Sequence, residues 1–185
     1  MILLLVYVII ALGFSFLCSI AEAVILSVSS AYISVLEKEQ KPSGAVLRHL
    51  TEDINRPLSA ILTLNTIAHT MGAAGAGAQA AIVFGDAYLG LISAILTLLI
   101  LVFSEIIPKT LGATFWRALA PITAYFLKYL VILLYPFVKM SEWLTKGFKE
   151  ESPLRGLNRA ELHAMAELSG EEGQLNEHEA SVMKS

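Results

Sequence analysis

Ser104-Glu105-Ile106-Ile107-Pro108-Lys109 puts a carboxylate and a proline at the end of an apolar run that begins near Leu89. Charge inside a membrane segment is costly and marks an ion or substrate path when it is retained. Pro108 has no N–H, so in a helix the carbonyl of Ser104, four residues back, loses its donor. A freed carbonyl one residue from a carboxylate, at membrane depth, must find a partner. A hard cation such as Mg²⁺, which takes oxygen ligands, would satisfy both groups. The competing reading places Glu105 at the cytoplasmic interface as the salt-bridge partner of Lys109, with Pro108 only kinking the helix.

Two other apolar stretches carry polar residues in helical register. Ser15, Ser19, Glu22 and Ser29 share a face, and the hydroxyls of Ser15 and Ser19 lie one turn apart. Those serines could instead bond their own i−4 carbonyls or pack against a neighbouring helix. Asn65 and His69 are one turn apart, with Gly72 three further on. Asn65 offers a carbonyl oxygen where an amide is expensive to bury, and an interhelical hydrogen bond would serve it as well as a metal. His69 reads as a satisfied polar residue, because Mg²⁺ prefers oxygen. Cys18 is alone, so neither an internal disulfide nor a zinc pattern exists, and it reads as a packing residue.

The elements that must position these groups are membrane helices. Of 185 residues, 56% are hydrophobic and the mean hydropathy is +0.67, beyond an ordinary soluble domain. The expected fold is an all-α integral membrane protein with three spans, at about residues 1–28, 57–84 and 89–114. The first run lacks a basic leader and exceeds a signal-peptide core, so it reads as a retained span. Between spans one and two, Glu37–Arg56 is charged, with a turn at Lys41-Pro42-Ser43-Gly44 and a short amphipathic helix carrying Val46, Leu47, Leu50 and Ile54. Lys38, Lys41, Arg48 and Arg56 assign it to the cytoplasm. Gly85-Asp86-Ala87-Tyr88 has no Lys or Arg and belongs outside. The small-residue run Gly72–Ala78 favours close helix approach, read here as part of a dimer.

Residues 118–148 are apolar but are interrupted by Lys128, Pro121 and Pro136, and they carry Tyr125, Tyr129, Tyr135 and Trp143. They read as a juxtamembrane belt in the cytoplasmic leaflet. A membrane domain of residues 1–150 is then followed by 151–185, the start of a short acidic helical bundle. Asn158 with Glu161, and Asn176 with Glu179, have the spacing of helix caps. From Glu150 onward eight acidic residues face Arg155, Arg159 and Lys184, and no nucleic-acid footprint is present.

Together these residues resemble the membrane domain of the cyclin M / CorC family of magnesium transporters. Phe103-Ser104-Glu105-Ile106-Ile107-Pro108-Lys109 is similar to the family's Gly-Glu-Ile-hydrophobic-Pro-Lys signature, with Ser104 in place of glycine. Ser15, Ser19, Glu22 and Ser27-Val28-Ser29 are similar to its first-span pattern, and Asn65-Thr66 to the Asn-Thr of its second. A second Asn is frequent four residues later; His69 stands there, so that role is not carried over. The resemblance implies Mg²⁺ export coupled to Na⁺ entry by a homodimer in the inner (plasma) membrane, with the N-terminus outside and the C-terminus cytoplasmic. It implies Ser15, Ser19, Asn65 and Glu105 as side-chain ligands, a carbonyl at Ser104 completing the shell, and Pro108 as the kink. Paired nucleotide-binding regulatory modules normally follow the acidic bundle in this family, and the sequence holds none.

A second function class keeps the same site but makes the protein a membrane-anchored Mg²⁺-sensing regulator that moves no ion. An enzyme is not expected: His-Glu-x-x-His, Gly-x-Ser-x-Gly and paired catalytic carboxylates are all missing from the sequence.

Overall fold

A computed structural model describes residues 2–85 and 88–144. The capping pairs and the acidic bundle expected beyond residue 150 lie outside the described residues, as do the end of the belt and Asp86-Ala87.

The described residues are helical. Helix α1, Ile2–Ser27, carries its buried positions on one stripe, Ala11, Ser15, Cys18, Ser19 and Ile25 among them. It stops two residues before Ser29, whose backbone is extended and whose hydroxyl accepts from the Tyr32 amide at 3.3 Å. Ser29 therefore leaves the polar face of α1 and caps α2, Ser30–Lys38, as a serine outside a first turn does.

Residues 39–41 turn the chain, with Gln40 at φ 54°, and Pro42 opens α3, Pro42–Glu52, at a position where its missing N–H costs nothing. The turn thus lies just before the proline. Helices α2 and α3 are clasped by Arg48, which donates from Nε and Nη2 to the two carboxylate oxygens of Glu37 at 3.1 and 2.7 Å. A Cβ on Gly44 would come within 3.0 Å of the Glu37 amide nitrogen, so the pair is close-packed there.

Helix α4, Asn55–Phe84, is about 45 Å long at 1.5 Å per residue, enough to cross a bilayer. It ends at Gly85, whose φ of 80° and ψ of 163° lie in a region essentially reserved for glycine. The third apolar run is three segments in one rod: α5, Leu89–Leu99; a π-helical stretch, Ile100–Ile106; and α6, Ile107–Thr114. Phe115 breaks the chain before α7, Trp116–Leu133, and α8, Tyr135–Leu144, follows. Among the described residues, four helical rods are long and apolar enough to cross a membrane: α1, α4, the α5–α6 rod and α7.

The core gathers at one end of the bundle. Ile25, Ile33, Leu47, Ala60, Ile61, Ala124 and Leu127 are almost fully buried there, joining the end of α1 to α2, α3, the start of α4 and α7. Burial of each isoleucine or leucine side chain from water contributes about 1.5–3 kcal/mol. Away from that end, helix association rests on close packing, because lipid is as apolar as the side chains. Glycine provides it. A Cβ on Gly72 would collide with Ala11, one on Gly75 with the Tyr7 ring, and one on Gly112 would lie 2.8 Å from Ile20 O and Ala23 Cβ. Gly72 and Gly75 of the small-residue run of α4 therefore pack against α1 of their own chain, while Gly77 faces open space.

Candidate functional site

The predicted residues come from α1, α4 and the π-helical stretch. Seven residues of i→i+5 winding precede Pro108, and the Ile107 amide reaches back to the Val102 carbonyl. The proline accounts for part of this: it offers no N–H to the Ser104 carbonyl, and wider winding is one way to re-route the ladder. The kink expected at Pro108 is thus spread over the turns that carry Ser104 and Glu105. Ser104 is fully buried, and its hydroxyl donates to Ile100 O at 3.0 Å, so its side chain is used within its own helix.

Glu105 is held on both carboxylate oxygens. Asn65 Nδ2 donates to Oε1 at 3.0 Å, and Lys109 Nζ lies 3.2 Å from Oε2. The Lys109 pairing considered from sequence is present, and so is the interhelical hydrogen bond considered for Asn65. With Nδ2 anchored on the carboxylate, the opposite corner of the planar amide, Oδ1, is buried and has no hydrogen-bond partner.

On α1, Ser15 Oγ is 2.6 Å from His69 Nε2, and the same nitrogen is 3.8 Å from Glu105 Oε1. With Nε2 as acceptor, Ser15 spends its proton on the imidazole and keeps its oxygen lone pairs. His69 is thus a polar residue partnered by Ser15 across α1 and α4, and it stands beside Glu105. Ser19, on the next turn, is fully buried and its Oγ has no hydrogen-bond partner. A buried polar atom left unpaired costs about 1–3 kcal/mol. Ser19 Oγ and Asn65 Oδ1 are two such atoms, and both are acceptors of the kind a cation requires.

Among the described residues no cluster of three or more His, Cys, Asp or Glu could hold a metal ion. The donor set here is hydroxyl, amide oxygen and one carboxylate. That chemistry suits a hard ion with oxygen preference and not a soft transition metal.

One partner escaped the sequence reading. Lys109 Nζ is 3.1 Å from Glu22 Oε2 on α1, so one ammonium bridges two carboxylates. The signal was there: Glu22 follows Ser19 by three residues on the polar face, and Lys109 follows Glu105 by four.

Several helices long and apolar enough to cross a membrane define the class, a multi-pass helical membrane protein, and polar side chains from three of its helical rods meet. The profile of the cyclin M transmembrane N-terminal domain matches residues 6–179. A UPF0053 protein from Synechocystis is 34% identical over 91% of this chain and 49% of its own length. A chloroplastic DUF21 domain-containing protein from Arabidopsis thaliana is 29% identical over 86% of this chain and 25% of its own. The UPF0053 inner membrane protein YfjD from Escherichia coli is 26% identical over 70% and 32%. The chain belongs to the cyclin M / CorC family, within its membrane domain, and contacts the lipid bilayer. It spans about half the length of the Synechocystis relative and less of the others.

Proposed function

We propose that this domain carries Mg²⁺ across the membrane through a dehydrated site formed by Ser15, Ser19, Asn65, Glu105 and the Ser104 carbonyl. The observation that carries this reading is the pair of buried, unpartnered oxygens, Ser19 Oγ and Asn65 Oδ1, the latter on the amide that binds Glu105. Mg²⁺ needs octahedral oxygen coordination at about 2.0–2.1 Å and gives up water reluctantly. A shell with a single ligating carboxylate binds it only modestly, which lets the ion leave again. Family membership supports transport, with Na⁺ entry as the coupled step and a homodimer as the working unit. The inner-membrane name of the Escherichia coli relative supports the same location here.

Three crossings, with the N-terminus outside, fit the charges and the packing. Tyr32, just past the end of α1, hydrogen-bonds Arg117 O at 2.8 Å and meets the Trp116 ring edge-on at 5.0 Å. That holds the start of α7 at the cytoplasmic end of the first span. Beyond the other end of α7, Glu142 and Ser141 of α8 bind Arg56 and Ser59, at the cytoplasmic start of α4, at 2.7 and 2.9 Å. A crossing helix of 18 residues would place its ends about 27 Å apart along the membrane normal. The start of α7 and the helix that follows it both contact residues flanking the first and second spans on the side read as cytoplasmic, which supports the belt.

Titration calorimetry of the detergent-purified chain tests the site. Wild type is expected to bind Mg²⁺ and Glu105→Ala to lose that binding, with parallel loss of Mg²⁺ flux in liposomes. Equal binding by both would place the ion elsewhere. Binding without flux in wild type would favour a sensing regulator.

A further inference from the structure

We propose that Glu22 and Lys109 form a charge-balancing pair that sets the cation affinity of Glu105, with Glu22 acting as a positioning residue that draws the ammonium away from it. The inference rests on the reading of Glu105 as an ion ligand. Lys109 Nζ stands 3.1 Å from Glu22 Oε2 and 3.2 Å from Glu105 Oε2, so it is shared almost equally between a carboxylate on α1 and one on the π-helical stretch. All three side chains are partly enclosed, with relative exposures of 43% for Lys109, 32% for Glu22 and 23% for Glu105.

The site thus holds two negative charges and one tethered positive charge. A divalent cation that takes Glu105 competes with Lys109 for that carboxylate and is repelled by the ammonium. Glu22 offers Lys109 a second acceptor within the reach it already has, so the ammonium keeps a partner when Glu105 turns to an ion. An ammonium left with Glu105 alone would instead neutralise the one ligating carboxylate. Close packing fixes the arrangement. Gly112, one turn beyond Pro108, lies against Ile20 O and Ala23 Cβ, so α6 cannot move Lys109 away from Glu22 without losing its seat on α1.

The two partners therefore act in opposite directions on one equilibrium. Removing Glu22 should weaken Mg²⁺ binding, and removing the Lys109 charge should strengthen it. A unit charge within a few ångströms of a divalent ion in a partly enclosed site is expected to change its affinity by at least about tenfold.

The test is Mg²⁺ calorimetry on the purified full chain for wild type, Glu22→Gln, Lys109→Met, the double variant and Glu105→Ala. Expected are binding about tenfold weaker in Glu22→Gln, about tenfold tighter in Lys109→Met, and as tight in the double variant as in Lys109→Met, since Glu22 has nothing to hold once the ammonium is gone. Loss of a merely structural ion pair would move both single variants the same way. Lys109→Gln serves as a second neutral variant should Lys109→Met not fold. Unchanged affinity in both single variants, with binding still abolished in Glu105→Ala, would overturn this inference and leave the site standing. Wild-type binding in Glu105→Ala would overturn the inference and the site together.

Discussion

Ser19 and Asn65 are where the site separates from ordinary helix packing. A hydroxyl buried only for packing usually bonds back to its own helix, as Ser27 does to Ala23 O at 2.7 Å and Thr63 to Ser59 O at 2.7 Å. Ser19 makes no such bond, so truncating it removes no hydrogen bond and relieves a desolvated oxygen. Ser19→Ala is therefore expected to leave thermal stability unchanged or raised by up to about 1 kcal/mol, while Mg²⁺ affinity falls. Thermal unfolding and calorimetry on one preparation check both halves. A clear loss of stability with unchanged affinity would assign Ser19 to packing. The residue types were legible in the sequence, since Ser15, Ser19, Asn65 and Glu105 stand out against apolar neighbours. Which of their atoms are already satisfied was not, because that depends on partners 40 and 54 residues away.

At the scale of elements, α1 is the post against which the others are set, and glycine decides how near they come. A Cβ on Gly112 would meet a backbone carbonyl at 2.8 Å, and a backbone atom cannot swing aside as a side-chain tip can. A Cβ on Gly77, in the same kind of apolar helix, would have nothing within 4 Å. Gly112→Leu is expected to destabilise the chain by about 1–3 kcal/mol through overpacking. Gly77→Ala should be neutral or stabilising by up to about 1 kcal/mol, because alanine favours the helix. Thermal unfolding in detergent distinguishes the two, and equal effects would mean that α6 is not seated as described. Sequence periodicity located the helices to within a few residues, since hydropathy and breakers such as Gly85 and Pro42 act locally. The π-helical winding was not legible: Pro108 predicts a defect in the ladder, but whether the helix bends or widens depends on the helices packed beside it.

For the whole molecule, the consequential feature is that α7 is long and apolar enough to cross a membrane, yet its start contacts Tyr32 and the helix that follows it contacts Arg56 and Ser59. Glu142 anchors α8 to α4 through Arg56 at 2.7 Å, and Lys139 beside it on α8 holds its carboxyl below the ordinary carboxylate range. Exposed pairs of this kind contribute up to about 1 kcal/mol, so most of the seating comes from the burial of Ala120, Ala124 and Leu127. Single cysteines at Tyr129 and Trp143, both well exposed, in a Cys18→Ser background, are expected to react with a membrane-impermeant maleimide from the cytoplasmic side alone. A cysteine at Tyr88 should react from the outside. Opposite-side labelling of positions 88 and 129 is the outcome for a belt, and same-side labelling would make α7 a fourth crossing.

The sequence by itself determined what is local: helices from apolar length, their ends from Gly85 and Pro42, and the candidate ligands from their polarity inside apolar runs. Tertiary structure decided what depends on a neighbour. It assigned Gly72 and Gly75 of α4 to α1, gave Ser15 to His69 and Asn65 to Glu105, left Ser19 Oγ and Asn65 Oδ1 without partners, and placed one lysine between two carboxylates. The physical reason is range. Helix formation is set within a few residues along the chain, whereas hydrogen bonds and ion pairs of about 3 Å are set by which faces meet when separate helices pack.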